Sequence, residues 1–525
     1  MVWWRAFFVP LLLALAAPAG AEEKIAIRIG YFPNVTHVQA LVAKALARKG
    51  KGFFEERLGP NVELRWFAYN AGPSAMEAIF ANSIDVTYVG PNPALNAFCT
   101  PTPEIALADA RRAEDAVMKG APLGPLHGIP YGIKDLAFTK GVRTMSGSHI
   151  FATRVPDVDA PFVTRLRAAG GVFLGKTSTP EFGWKGMGDS PLTGSTRNPW
   201  NTKMTTGGSS AGAGAAAAAG LGPLHQGSDG AGSIRIPSSF CGIYGLKPSY
   251  GRVPMWPVSN NDNSSHNGPM TRTVADAALM LAVMAGPDEW DRTSLPDTPE
   301  DYIGKLRAGV RGLKVAFSPA LDTLRVDPDV AAVVRDAVRV FEALGCTVEE
   351  VKTGFADTHD MIRMMWNAHE AGNYARYLPE WRDRMDPGLV DSIEDGLRYS
   401  VVDYIDMRAR KLAHWDSVRP LFERYDLLLT PSMSVTAFEC GRINPAHWPQ
   451  PGNKWDWLAW ASFSYPFNFT GQPAGSVPAG FTPSGLPVGL QIVGRLFADL
   501  TVLQASAAFE EARPWAARRP PEPSA

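Results

Sequence analysis

The sequence predicts an α/β protein, a large domain carrying a small strand-and-helix lobe at its amino end. Its 525 residues suffice for two or three domains, or for one large α/β domain with an appendage. Its 50 glycines and 44 prolines suit many tight loops around a core better than a helical bundle. Near the amino end, strand-like alternation and helical spacing succeed each other, which implies a small parallel sheet. With 45% apolar residues, 20% charged residues and a net charge of -1, nothing points to nucleic acid as a partner.

In chain order, the first element is a leader. MVWWRAFFVPLLLALAAPAGAEE has Arg5 near the start, an apolar run from Ala6 to Ala17 and then Ala19-Gly20-Ala21. This is the pattern of a cleaved secretory signal over residues 1–21. A transmembrane helix would need about 20 apolar residues, and Pro10 and Pro18 shorten this run. The expectation is a periplasmic or secreted protein without stable membrane insertion after cleavage. A cytoplasmic location applies if the amino-terminal segment is an artefact of gene assembly.

KIAIRIGYF alternates through Ile25, Ile27, Ile29 and Tyr31 as a strand. VTHVQALVAKALARKG reads as a helix stopped by Gly50. VELRWFAY alternates through Val62, Leu64, Trp66 and Ala68, a second helix starts near Pro73, and IDVTYVG is a third strand. From Asn92 the pattern changes. Thr102 is the expected N-cap of a helix with Pro103 at its first position and Gly120 as its stop.

From Met204 to Gly242 almost every side chain is small, and two serine clusters are each preceded by glycine. The alanine run between them suits a buried helix close to a sheet, and TRNPWNTKMTT before them reads as a turn-rich loop. Further on, GPMTRTVADAALMLAVMAG reads as a long amphipathic helix, residues 286–303 as a polar loop and YDLLLTPSM as a buried strand. AARRPPEPSA, residues 516–525, is expected to be a disordered tail. Cys99, Cys241, Cys346 and Cys440 are widely spaced without a C-x-x-C and decide nothing.

Two resemblances organise these elements. IRIGYFPNVTHVQALV, NAGPSAMEAIFANSIDVTYVGPNPALNAF and the leader resemble the start of periplasmic binding proteins for ABC importers of the sulfonate, taurine and nitrate class, over about residues 1–98. Such proteins close two lobes over a ligand, so residues 22–91 are expected to form a truncated βαβαβ lobe. From PLGPLHGIPYGIKDL to about Trp515 the chain resembles the amidase-signature family of serine hydrolases. That resemblance implies a domain over 92–515 built around a large mixed sheet, here without the helices that usually lead it. NPALNAF is plausible in both families, and the switch occurs on it. The chain reads as a fusion, natural or introduced in gene assembly.

The amidase-signature family uses a Ser-cisSer-Lys triad, and the resemblance places all three members. Lys134 stands in GIPYGIKDL, Ser209 is the first serine of GGSSAG and Ser233 closes GSDGAGS, at intervals of 75 and 24 residues. A serine hydroxyl is a weak nucleophile until a base takes its proton. Lysine can be that base only if neutral, and burial lowers its pKa from about 10.4. By the resemblance, Ser233 carries the acyl-enzyme, Ser209 follows a cis peptide after Gly208, and Ser209 relays protons between Ser233 and Lys134. The backbone N–H groups of Gly230, Ala231, Gly232 and Ser233 would face the oxyanion. Asp229 and Arg235 are expected to hold the shape of this cradle, with Ser210 in support. The expected substrate is a small-molecule carboxylic amide, with no cofactor and no metal, since no H-E-x-x-H or comparable cluster occurs.

Competing readings stand beside this one. Gly208-Ser209-Ser210-Ala211-Gly212 satisfies G-x-S-x-G, which would make Ser210 an α/β-hydrolase nucleophile; that elbow needs a preceding strand, and a turn-rich loop is expected there. Gly212-Ala213-Gly214 with Ala217 imitates a dinucleotide loop without its strand or acidic residue. Cys241 reads as a small core residue, and His127, His149 and His225 as packing or hydrogen-bonding residues. The aromatic residues of MIRMMWNAHEAGNYARYL and NKWDWLAWASFSYPF could line a pocket or form plain core, and both stay open. Resemblance to the amidotransferase component that feeds ammonia to charged tRNA is weaker, because MWPVSNNDNSS follows GLKPSYGRVP where an arginine-bearing loop is expected. The alternatives from other classes are an inactive fusion product and a secreted solute-binding component of an importer.

Overall fold

A computed structural model describes residues 25–31, 62–68, 86–87 and 94–521, except 258, 260, 261, 298, 450 and 451. The leader, the two helices expected between residues 32 and 85 and the last four residues lie outside the described residues. The chain divides near Ala94 into two units. In the first, β1 (Ile25–Tyr31) pairs in parallel with β2 (Val62–Ala68) and with β3 (Val86–Thr87), in the order β2-β1-β3. Ile25 stands opposite Val62 and Tyr31 opposite Ala68. Along β2 the half-buried positions are Val62, Leu64 and Trp66, the period of two expected of a strand with one covered face.

The second unit is built on one sheet of 11 strands. In chain order these are β4 (Phe98–Pro101), β5 (Pro130–Lys134), β6 (Val172–Thr177), β7 (Leu224–Asp229), β8 (Tyr244–Lys247), β9 (His266–Thr271) and β10 (Lys314–Phe317). They continue with β11 (Thr347–Glu350), β12 (Leu427–Pro431), β13 (Ala474–Phe481) and β14 (Pro487–Gly494). The spatial order is β11-β10-β12-β14-β13-β8-β9-β7-β5-β6-β4. Pairing is parallel at β5–β6, β5–β7, β10–β11 and β10–β12 and antiparallel elsewhere, so the sheet is mixed.

Both faces are covered. One core takes Phe162, Val163 and Leu166 from α2 (Pro161–Ala168), Ala277 and Leu281 from α5 (Val274–Met284), Val334 and Phe341 from α6 (Pro328–Ala343), and Leu503 and Phe509 from a helix over Asp499–Ala512. A second gathers Ala213 and Ala217 of α3 (Ala211–Ala219) with Ile234 and with Cys241 of α4 (Arg235–Cys241). A third joins Ile236 and Phe240 of α4 to Ile362 and Trp366 of α7 (His359–Tyr374) and to Trp457 and Trp460. Those tryptophans are buried in that core, and Trp366 and Trp457 also line a small cavity with Trp184 and Trp455.

Some local expectations are corrected. α1 (Pro103–Met118) begins at Pro103 with Thr102 at its N-cap position, and its chain turns left-handed at Gly120, but the hydroxyl of Thr102 donates to the carbonyl of Phe173 and accepts no helix N–H. GPMTRTVADAALMLAVMAG is not one helix. Its first residues complete β9, and α5 starts only at Val274, where the Thr273 hydroxyl accepts the Asp276 N–H. Both parts are buried, but β9 carries His266, Asn267 and Thr271, and the apolar helical spacing begins only at Val274. TRNPWNTKMTT is not a plain loop either. Arg197–Asn198 and Asn201–Thr205 pair as a two-stranded ribbon separate from the main sheet. Among the described residues no helix is long and apolar enough to cross a membrane.

Candidate active site

Lys134 is the last residue of β5, an inner strand flanked by β6 and β7, and its side chain is fully buried. Its backbone N–H donates to Gln226 Oε1 at 3.2 Å. Its Nζ lies 2.7 Å from Ser209 Oγ, 3.0 Å from Ser210 Oγ and 3.0 Å from Ser228 Oγ. Burial lowers the Lys134 pKa to about 7, against an opposing pull from the charge of Asp229. An amine surrounded by hydroxyls in this way can lose its proton near neutral pH.

Ser209 and Ser210 form the short connection into α3, and the Gly208–Ser209 peptide is cis. Gly208 has a packing reason to be glycine, since a Cβ there would stand 2.4 Å from the carbonyl oxygen of Met187. Ser233 lies between β7 and α4, 3% exposed, and its carbonyl accepts the Ser210 N–H at 3.2 Å. The two serine clusters are thus brought together by backbone, with Lys134 beside the first.

Asp229 closes β7 and organises the turn that follows. Its carboxylate accepts the N–H groups of Gly232 at 2.7 Å and Ile234 at 3.1 Å, and it pairs with Arg235 at 2.9 Å with both side chains fully buried. Burial pushes its pKa up, but Arg235, Asn468 and Lys247 outweigh that and hold it well below the usual carboxylate range. The Gly232 amide is therefore committed to Asp229. Of the four amides expected at the oxyanion, those of Gly230, Ala231 and Ser233 form no backbone hydrogen bond among the described residues. Arg235 also donates to the Ser464 carbonyl at 2.8 Å, Gln491 Oε1 at 2.9 Å and Asn468 Oδ1 at 2.6 Å.

Ser228, Gln226, Ser464, Asn468 and Gln491 were not singled out from the sequence. Ser228 could have been, since it lies in the same GSDGAGS string as Ser233. The last three lie more than 200 residues from Asp229 and Arg235 and carry no local signal.

A short strand does precede the serines, contrary to the ground on which the elbow reading was set aside, but it belongs to the separate ribbon. Ser210 sits at the N-cap position of α3, and its hydroxyl donates to the Ser228 carbonyl at 3.1 Å. His127 and His225 bond to the carbonyls of Ala113 and Gly222, and His149 meets Arg384. Cys241 is buried 3.6 Å from the Thr206 carbonyl, and burial pushes its thiol pKa up. A polar surface cleft of about 630 Å³, lined by His359, Arg363, Asp391 and Lys454 among others, contains none of the triad.

The Amidase family profile matches residues 89–503 of the chain. The chain belongs to the Amidase family. This amidase is 40% identical over 456 residues to an acylamidase of Rhodococcus erythropolis, covering 86% of the chain and 94% of that relative. Residues 89–525 make up less than 86% of the chain, so this alignment begins before residue 89. It is 37% identical over 467 residues to a glutamyl-tRNA(Gln) amidotransferase subunit of Moorella thermoacetica, covering 81% of the chain and 91% of the relative. Its fold superposes on the crystal structure of a bacterial aryl acylamidase of the amidase-signature enzymes with a TM-score of 0.76 and 31% identity, over 85% of the chain and 93% of that structure. The amidase is thus a hydrolase of amide bonds, on an α/β amidase-signature fold.

Proposed function

We propose that this amidase cleaves a carboxylic amide to acid and amine through an acyl-enzyme on Ser233, with Ser209 and Lys134 as the proton relay. The observation that carries the reading is the fully buried Lys134 amine, 2.7 Å from Ser209 Oγ, with its pKa lowered to about 7. Lys134 takes the Ser209 proton while Ser209 takes that of Ser233, and Ser233 Oγ attacks the amide carbon. The tetrahedral oxyanion meets the amides of Gly230, Ala231 and Ser233, where losing one donor costs about 2.7–4 kcal/mol of transition-state stabilisation. The relay then returns a proton to the leaving amine, and water releases the acid from Ser233.

A free-standing amidase acting on a small acylated amine is the favoured form. The acylamidase and aryl acylamidase relatives support it, as does the MWPVSNNDNSS segment that differs from the amidotransferase expectation. The test is an irreversible serine-directed probe followed by peptide mapping. Label on Ser233 is expected, and label on Ser210 would overturn the assignment. Ser233→Ala should abolish acyl-enzyme formation, while Lys134→Ala and Ser209→Ala should each cut turnover severely.

Residues 22–91 are proposed as the truncated binding-protein-like lobe of an exported fusion. The reading rests on the sequence resemblance and the leader pattern, with which a parallel order β2-β1-β3 is compatible. Amino-terminal sequencing of the protein recovered from a periplasmic fraction should begin after Ala21. Protein found only in the cytoplasm with Met1 in place would refute export.

A further inference from the structure

α7 lies along the segment that walls the Ser209 hydroxyl. Trp366, Glu370 and Tyr374 are spaced four apart and share one face of that helix. Trp366 Nε1 donates to the Trp184 carbonyl at 2.7 Å, and the Tyr374 ring stacks on Phe182 with centroids 4.0 Å apart and planes 9° apart. Glu370, between them on that face, is repelled by the Glu181 carboxylate. Two residues beyond Glu181, a Cβ on Gly183 would stand 3.1 Å from Ser209 Oγ. Two residues of chain span at most about 7 Å, so Glu181 is anchored close to the relay.

Glu370 is fully buried, and neither of its carboxyl oxygens has a hydrogen-bond partner among the described residues. Buried polar groups are nearly always partnered, and an exception calls for an explanation. Its neighbours are already committed. Glu181 accepts from the Ser148 hydroxyl and from the Asp386 N–H, both at 2.6 Å. Lys185, the cation beside them, is held by Asp189 and by Asp386 at 2.7 Å. Arg154, on the Tyr374 side, donates to the Thr144 carbonyl and the Ser146 hydroxyl and stacks over Phe151. Three carboxyls, those of Glu181, Asp189 and Asp386, thus share one lysine, and the charge acting on Glu370 is that of Glu181. Burial, and then Glu181, push the Glu370 carboxyl up to about 8, and an arriving cation would supply the charge that ionises it.

We propose that Glu370, with Glu181 behind it, is a specificity-determining residue that receives a primary ammonium group carried by the amide substrate. This inference rests on Ser209 belonging to the proton relay, because that places Glu370 near the reacting bond. It predicts that amides bearing a free amine beyond the scissile bond are preferred over uncharged isosteres.

The test uses the full chain and two probes, n-hexylamine and n-hexanol. Binding of each is measured by calorimetry, and each is assayed as an inhibitor of hydrolysis of an uncharged anilide. Wild type should bind the amine more tightly than the alcohol by about tenfold or more. Glu370→Gln should erase that preference, and Glu370→Leu provides the same reading if the first variant folds poorly. Equal binding of the two probes by wild type, or a preference that survives both substitutions, would overturn the proposal. Preferential amine binding that depends on Glu370, in a protein that hydrolyses no anilide, would uphold the subsite and count against the relay assignment instead.

Discussion

An amine that must shed its proton near neutral pH has to be kept from water, and at Lys134 burial outweighs the pull of Asp229. The activity consequence has a definite sign. With a pKa of about 7, the relay is protonated and idle in acid, so kcat/KM should rise with pH through about 7. Lys134→Arg should abolish turnover at every pH, because a guanidinium does not deprotonate in proteins. The stability consequence has its own sign. Between about 7 and the unfolded value of about 10.4 the unfolded chain binds the extra proton, so the contribution of Lys134 to stability grows with rising pH. Asp229→Asn would leave the buried Arg235 charge uncompensated, and urea unfolding should register a loss of about 3–5 kcal/mol. Lys134, Ser209 and Ser233 were legible because each sits in a short string of its own. Ser464, Asn468 and Gln491 were not, since what marks them is a guanidinium that only the folded chain brings to them.

Among the elements, α3 shows most directly what the small residues accomplish. A Cβ on Gly212 would stand 2.1 Å from the Ala97 carbonyl and 2.3 Å from the Ser178 nitrogen, so α3 lies backbone to backbone against the strand edge. Gly212→Ala should cost about 1–3 kcal/mol by denaturant unfolding, as overpacking does. Gly214→Ala, whose nearest contact would be 3.0 Å to the Pro237 side chain, should cost less. The alanine run announced such a helix, and the period of two announced β1 and β2. The β9–α5 junction was missed, although β9 is much the more polar of the two and Thr273 followed by Asp276 marks a helix start. On α7, Glu370 has its pKa raised to about 8 and faces Glu181, raised to about 7, both by burial first. Folded carboxyls that hold protons above their unfolded values lose stability as pH rises, here between about 4.3 and 8. Glu370→Gln should therefore flatten the fall in melting temperature across that interval.

For the molecule as a whole, the proposed fusion carries a stability consequence. Under the proposed fusion the amidase domain would lack its leading helices and forfeit about 25 cal/mol for each Å² of apolar surface they would bury. Replacing residues 1–91 by an amidase-type helical amino terminus should raise the melting temperature and leave turnover nearly unchanged, since Lys134, Ser209 and Ser233 lie downstream. Equal melting temperatures would show that residues 1–91 already do this work. The three parallel strands could be read from alternation, whereas the sheet of 11 strands could not, because its order makes neighbours of segments as distant as β8 and β13, and the mixed sheet was expected here from the family resemblance. The hold of Ser464, Asn468 and Gln491 on Arg235 has one further consequence, in the time domain of synthesis. A ribosome has all three members of the triad behind it once Ser233 is made, yet the turn that aims Ser233 is still missing its far supports. A nascent chain stalled before Gln491 would carry the complete catalytic motif and remain silent, so activity switches on near the end of translation.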